Sequence, residues 1–162
     1  KVPRALGGVF CDDIREELYG KMTLVGCYTG GMLVKEVPIT LPKLCAHVRL
    51  MTPTTRPFRE IKFIILRDDE LLIEGEVPVD SSLEATAESD WNGEVQYVHA
   101  QFVMAPLELP GPCTLRVRAI ADGEELRGLA LPIALAPDGY IPSSPHIVQP
   151  AKGGAKSRSG PG

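Results

Sequence analysis

At 162 residues the chain has the size of one domain and can bury a core of its own, since a domain near 150 residues hides roughly 68–70% of its unfolded surface. A formal charge of −4 gives no overall attraction for nucleic acid, whose binders present a basic face. No apolar run approaches the ~18 residues that a membrane-spanning helix needs, and with four Phe, four Tyr and one Trp the core must be mainly aliphatic.

A first strand is predicted over residues 4–11, with Leu6, Gly8 and Phe10 on one face, because alternate residues of a strand share a face. Gly7 and Gly8 point to a close backbone approach or a bulge. An acidic turn follows, Cys11-Asp-Asp-Ile-Arg-Glu-Glu17, in which Asp12 is expected to cap one helical turn with Arg15 and Glu16 beside it. Gly20 resets the chain, and residues 21–28 are predicted to return as a second strand, closing a hairpin with the first. Thr29-Gly-Gly31 is a turn, and residues 32–37 are a short third strand ended by Pro38.

From Lys43 onward, Leu44, Ala46, Val48 and Leu50 alternate with Cys45, His47 and Arg49, the period of a half-buried strand. The Pro- and Thr-rich residues 51–57 are expected to interrupt any ladder. Ile61, Phe63 and Ile65 alternate again, Arg67-Asp-Asp-Glu70 is a tight turn, and Leu71, Ile73, Gly75 and Val77 return as the second arm of a hairpin. Residues 79–94 break the pattern, with one or two helical turns expected after an Asp80 or Ser81 cap. A connection of that length inside a compact domain is often functional, and Trp91 lies in it. Strand character resumes over 97–107, then over 113–119, and Asp122-Gly123 is a two-residue hairpin signal. The last strand is predicted over 126–135, with Pro132 marking it as an edge or its end.

These short, turn-punctuated strands predict an all-β fold, an antiparallel β-sandwich of the Ig-like or C2-like kind, over residues 1–136. Residues 137–162 are rich in Pro, Gly, Ser and Lys and are expected to form a largely disordered C-terminal tail. Lys152, Lys156 and Arg158 in that tail read as solubilising charges. Cys11, Cys27, Cys45 and Cys113 form no C-x-x-C pair. In a chain able to build a full core they are expected to stay reduced as small buried apolar groups.

The first 28 residues, with Phe10-Cys-Asp-Asp-Ile-Arg-Glu-Glu17, and the later Leu41-Pro-Lys-Leu-Cys45 and Arg56-Pro-Phe58, resemble a family of small bacterial and bacteriophage proteins of unassigned function. The resemblance covers roughly residues 5–135. It implies a cytoplasmic prokaryotic or phage protein and carries over no catalytic residue.

Candidate chemistry is thin. The carboxylates Asp12, Asp13, Glu16 and Glu17 could hold a divalent cation only if acids from another loop joined them, and they lack the spacing of a calcium loop. Local salt bridges to Arg15 and Lys21 are the simpler expectation. Cys45 and His47 share a strand face but have no companion pair to complete a zinc site, so His47 and His99 read as satisfied histidines. There is no G-x-S-x-G elbow, and thiols on apolar strands resist ionisation. Arg116 and Arg118 share a face with Arg127 on the partner strand; pairing with Glu124 or Glu125 is expected to neutralise that stripe. The sequence therefore predicts no enzyme and no cofactor, but an interaction module of a bacterial or phage cytoplasm that binds a protein partner or a second copy. Neither nucleic acid nor a membrane is an expected partner. A self-associating virion or assembly component, and a cation-dependent sensor or hydrolase built on the acidic turn, are the alternatives. Asp12, Asp13, Arg15, Glu16, Trp91, Arg116, Arg118 and Arg127 are the candidate contact residues.

Overall fold

Period-two burial governs the chain in a computed structural model, which describes residues 2–77, 88–89 and 92–140. Thirteen strands form among the described residues: β1 (Ala5–Cys11), β2 (Asp13–Glu16), β3 (Met22–Val25), β4 (Met32–Val34), β5 (Ile39–Leu41), β6 (Leu44–Pro53), β7 (Ile61–Arg67), β8 (Glu70–Val77), β9 (Glu88–Ser89), β10 (Val95–Met104), β11 (Leu107–Leu109), β12 (Cys113–Ala121) and β13 (Glu124–Leu135). One layer has the order β1-β6-β10-β9 and the other β4-β13-β12-β7-β8. Every pair is antiparallel except β4 beside β13. In immunoglobulin lettering these layers run A-B-E-D and A′-G-F-C-C′, so strand order selects the Ig-like sandwich. It does so with no disulfide, because all four cysteines are free.

The inner faces are those the alternation predicts. Leu44, Ala46, Val48 and Leu50 of β6 are fully buried, as are Ile61 and Ile65 of β7 and Leu115 and Ala119 of β12. Phe63 and Phe102 meet edge to face across the layers, with centroids 5.4 Å apart. The hairpin β7–β8 turns at Asp68-Asp69, as expected, with a register shift after Ile65. Asp122-Gly123 joins β12 to β13 with φ of 50° and 79°, the two positive angles that a tight hairpin turn requires.

Two glycines let strands approach closely, one between the layers and one within a layer. The register of β12 on β13 jumps so that Val117 faces Leu129 and Arg118 faces Arg127, leaving Gly128 as the extra residue of a bulge. A Cβ there would lie 1.9 Å from the carbonyl oxygen of Leu6 on β1. At Gly8 it would lie 2.3 Å from the carbonyl of His47, the close approach that the glycine pair predicted.

Several expectations are corrected. Strand β1 forms no ladder with residues 21–28, which reach it by one backbone bond, from the Tyr28 amide to the Phe10 carbonyl at 2.9 Å; its ladder partner is β6, with Phe10 opposite Ala46 and Cys11 opposite Cys45. The acidic stretch does not form a capped helical turn but strand β2, paired to β3 with Ile14 opposite Leu24. Both apolar side chains are half-buried on one face, and an extended ladder is what puts them there. The only helical turn nearby is a 3₁₀ turn at Leu18–Gly20, and it has no side-chain cap. Strand β6 runs on through Met51 and Thr52 to Pro53. The short pair β5–β11 was not foreseen. Pro132 does not end β13: it sits opposite Thr114 on β12, and β4 joins the other side only from Ile133. The helical turns expected within 79–94 lie outside the described residues apart from Glu88, which is in β9. Trp91 and the tail from residue 141 also lie outside them. No helix here is long and apolar enough to cross a membrane.

Candidate interaction site

The β2–β3 hairpin leaves the sandwich directly after β1. Its root is tied down by the amide of Asp12 donating to the Val25 carbonyl at 2.8 Å and by the Tyr28 hydroxyl donating to Asp12 Oδ1 at 2.7 Å. Burial, reinforced by that bond to Asp12, pushes the Tyr28 phenol up to about 12. Asp13 accepts from Lys43 Nζ at 2.5 Å and from Arg15 Nε at 3.3 Å. Those two cations, Lys43 first, hold its carboxyl below the ordinary range. Glu17 accepts from the Thr23 hydroxyl at 2.9 Å. The acids thus close onto local donors and do not converge on one point. Among the described residues no three His, Cys, Asp or Glu side chains gather as a metal cluster.

At its far end the hairpin turns through Leu18-Tyr19-Gly20. Leu18 is 78% exposed and Tyr19 97% exposed. Tyr19 holds φ 63° and ψ 34°, a left-handed conformation that costs a residue with a Cβ. A bulky aromatic fixed in that geometry in open solvent makes no contribution to the core, and Glu16 and Glu17 flank it.

The arginine stripe is elsewhere, on the outer face of the five-stranded layer. Arg118 and Arg127 both pair with Glu125, at 3.2 and 3.0 Å. Arg116 donates to the carbonyl of Asp68 at 3.4 Å. Arg127, with Arg118 behind it, keeps the Glu125 carboxyl low. One carboxylate, Glu125 rather than Glu124, thus serves two of the three arginines, and Arg116 bonds a neutral carbonyl. It belongs to a different layer from Asp12, Asp13, Arg15 and Glu16, so the candidate residues form two separate surfaces.

The thiols offer no nucleophile on β1 or β6. Burial, with Cys45 and Cys27 nearby, pushes the Cys11 thiol up to about 11, and burial also raises Cys45. Cys113 is half-buried and Cys27 is exposed, so the four are not uniformly buried as expected.

Residues 7–134 match the family of unknown function DUF6941. The chain belongs to this family. The match runs from within β1 almost to the end of β13, so the DUF6941 domain is the sandwich itself. No curated protein and no solved structure matches the chain.

Two features of this DUF6941 domain escaped the sequence reading. Arg4, whose side chain is 1% exposed, anchors the chain start. Its Nε donates to Thr52 Oγ1 at 3.2 Å and its Nη2 to Asp122 Oδ2 at 2.6 Å. Its guanidinium also lies 4.6 Å from the centre of the Phe58 ring. The second is a pairing of His47 with His99. Each histidine was visible on the polar face of its own strand, but only the β6–β10 register brings them together.

Proposed function

We propose that this DUF6941 domain is a non-enzymatic interaction module of a bacterial or phage cytoplasm, holding a protein partner through the tip of its β2–β3 hairpin. The observation that carries this reading is Tyr19, 97% exposed at φ 63° with Leu18 beside it. Aromatic anchors dominate many contacts, and backbone strain that the fold does not need collects at functional positions. Glu16 and Glu17 beside the tip favour a partner with an apolar pocket and a basic rim.

Strand addition is a poorer route to a partner. Strand β8, the outer strand of its layer, carries Glu70, Glu74 and Glu76, charges that discourage edge pairing. The free side of β1 is approached by the bulge at Gly128. Contact through projecting side chains fits these blunted edges better.

The test is affinity capture from the native host with the full chain and with Tyr19→Ala and Leu18→Ala, proteins being identified by mass spectrometry. Both variants should keep the wild-type melting curve and lose the same partner. Light scattering of the purified chain shows whether that partner is a second copy. Undiminished capture by both variants sinks the tip as the contact, and loss on Trp91→Ala alone moves it to the 79–94 connection.

A further inference from the structure

The outer face of the four-stranded layer carries a pair of imidazoles that the hairpin reading does not use. His47 on β6 and His99 on β10 sit diagonally across an antiparallel ladder in which His47 faces Gln101 and His99 faces Arg49. His47 Nε2 and His99 Nδ1 are 3.2 Å apart. The ring centroids are 5.3 Å apart with the planes inclined by 22°. The two nitrogens thus face each other at hydrogen-bond distance, and a shared ion would require each ring to turn until its nitrogen points at a common centre. The neighbouring cation is drawn aside, since the Arg49 guanidinium lies 4.8 Å from the centre of the Tyr97 ring.

A tetrahedral ion bound to two imidazoles at about 2.0–2.1 Å holds their nitrogens about 3.3–3.4 Å apart. The pair is within about 0.2 Å of that spacing and is held by two central strands, so the rings would have to turn about their side-chain bonds but not move apart. We propose that His47 Nε2 and His99 Nδ1 form a two-nitrogen site for a borderline transition-metal ion, Zn²⁺ in the first instance, with no third ligand among the described residues.

Imidazole suits Zn²⁺, Cu²⁺ and Ni²⁺ and not the hard cations Mg²⁺ and Ca²⁺, which require oxygen ligands. Ligation needs both rings neutral. Burial, helped by His99 and Arg49, shifts His47 toward its neutral form. Ligation through the two facing nitrogens requires the hydrogen between them to leave its nitrogen, either by a change of tautomer within that ring or by release to solvent. With two protein ligands the site is exchangeable, unlike a structural zinc centre closed by four.

Titration of the full-length chain with ZnCl₂ tests this, followed by calorimetry and by the imidazole carbon-bound proton resonances. One ion per chain is expected, with both histidines shifting together, and CaCl₂ should produce neither heat nor shift. His47→Gln and His99→Gln should each weaken Zn²⁺ binding by at least about tenfold while leaving the amide spectrum of the sandwich unchanged. Binding that survives both substitutions overturns the site, as does a titration to millimolar zinc in which neither imidazole moves. Since neither histidine is part of the hairpin, partner capture by these variants should be normal.

Discussion

Nη2 of Arg4 meets Oδ2 of Asp122 at 2.6 Å across a sequence separation of 118 residues. It brings the start of the chain to the turn between its last two long strands. The other carboxylate oxygen, Oδ1, accepts the backbone amides of Arg59 and Glu60 at 2.9 Å each. Asp122 thereby joins three segments, while Arg4 also reaches the carbonyls of Arg56 and Pro57. Asp122→Asn keeps a side chain that tolerates the left-handed turn but removes the charge facing a buried guanidinium. Leaving a buried charge without its partner costs about 3–5 kcal/mol, a ceiling here because the Asp122 side chain is 23% exposed where that of Arg4 is 1%. Glu124, 3.7 Å from Nη1 of Arg4, places the expected loss at the lower end. Urea denaturation measures it, and a midpoint unchanged from wild type would show the contact to be idle.

The same carboxylate sets an acid limit. Burial alone would raise its pKa, but the bonds from Arg4 and the two amides outweigh that and hold the folded value below the ordinary 3.8. A depressed folded pKa contributes stability that is complete above the unfolded value and is lost as pH falls through the folded one. Stability should therefore drop progressively below about pH 4. In Asp122→Asn this part of the acid slope should be absent, which denaturation midpoints across that range will show.

At Gly128 a methyl group would collide with backbone and not with a side chain able to swing aside, because the nearest atom is the Leu6 carbonyl oxygen at 1.9 Å. Gly128→Ala must push β1 away from β13, at an expected cost of about 1–3 kcal/mol or more. Gly75→Ala on β8 is the control, with nothing within 4 Å of the new carbon, and should be neutral or slightly stabilising. Equal melting temperatures for the two variants would refute the close approach.

These cases mark what the sequence could reveal. Alternation exposed the inner faces of β6, β7 and β12, because burial on one face writes a period of two into the residues themselves. The hairpin turns at Asp68-Asp69 and Asp122-Gly123 were legible for the same local reason. Register was not. Nothing near Phe10 states that its ladder partner is Ala46 while Tyr28 reaches only its carbonyl, and the choice rests on which strand buries more when paired. The candidate site suffered accordingly: Arg116, Arg118 and Arg127 were rightly placed on one face. The Arg4–Asp122 and His47–His99 contacts depend on long-range pairing and left no local mark. Tyr19 was passed over because a solitary aromatic beside a glycine gives no sign that it will be held outward.

The strain at Tyr19 makes a further prediction separate from binding. Asparagine enters the left-handed region more readily than an aromatic residue. Tyr19 makes no buried contact that its loss would forfeit, being 97% exposed. Tyr19→Asn should therefore stabilise the domain by up to about 1 kcal/mol, read as a raised urea midpoint. A destabilised variant would mean that the ring supports the hairpin, removing the argument that the tip is kept for a partner.

The alkaline limit follows, with the opposite sign, from two acids, the buried Cys11 and the half-buried Tyr28. Cys11 is pushed from an ordinary 9.0 to about 11, and Tyr28 from 10.0 to about 12, burial being the larger cause in each. Unfolded, both groups ionise near their ordinary values, so above about pH 9 the unfolded chain loses protons that the folded chain retains. A raised folded pKa gives stability that is full below the unfolded value and declines as pH rises through the folded one. Midpoints should thus be flat near neutrality and fall between about pH 9 and 12, with Tyr28→Phe removing the phenol's share of the slope. Thiol labelling at neutral pH checks the environments behind this. Cys27 is exposed and Cys11 and Cys45 are buried, so one thiol should react quickly and Cys11 and Cys45 only on unfolding. Rapid modification of Cys11 in the native domain would show that β2 and β3 do not shield the β1–β6 edge, and the alkaline slope should then shrink with it.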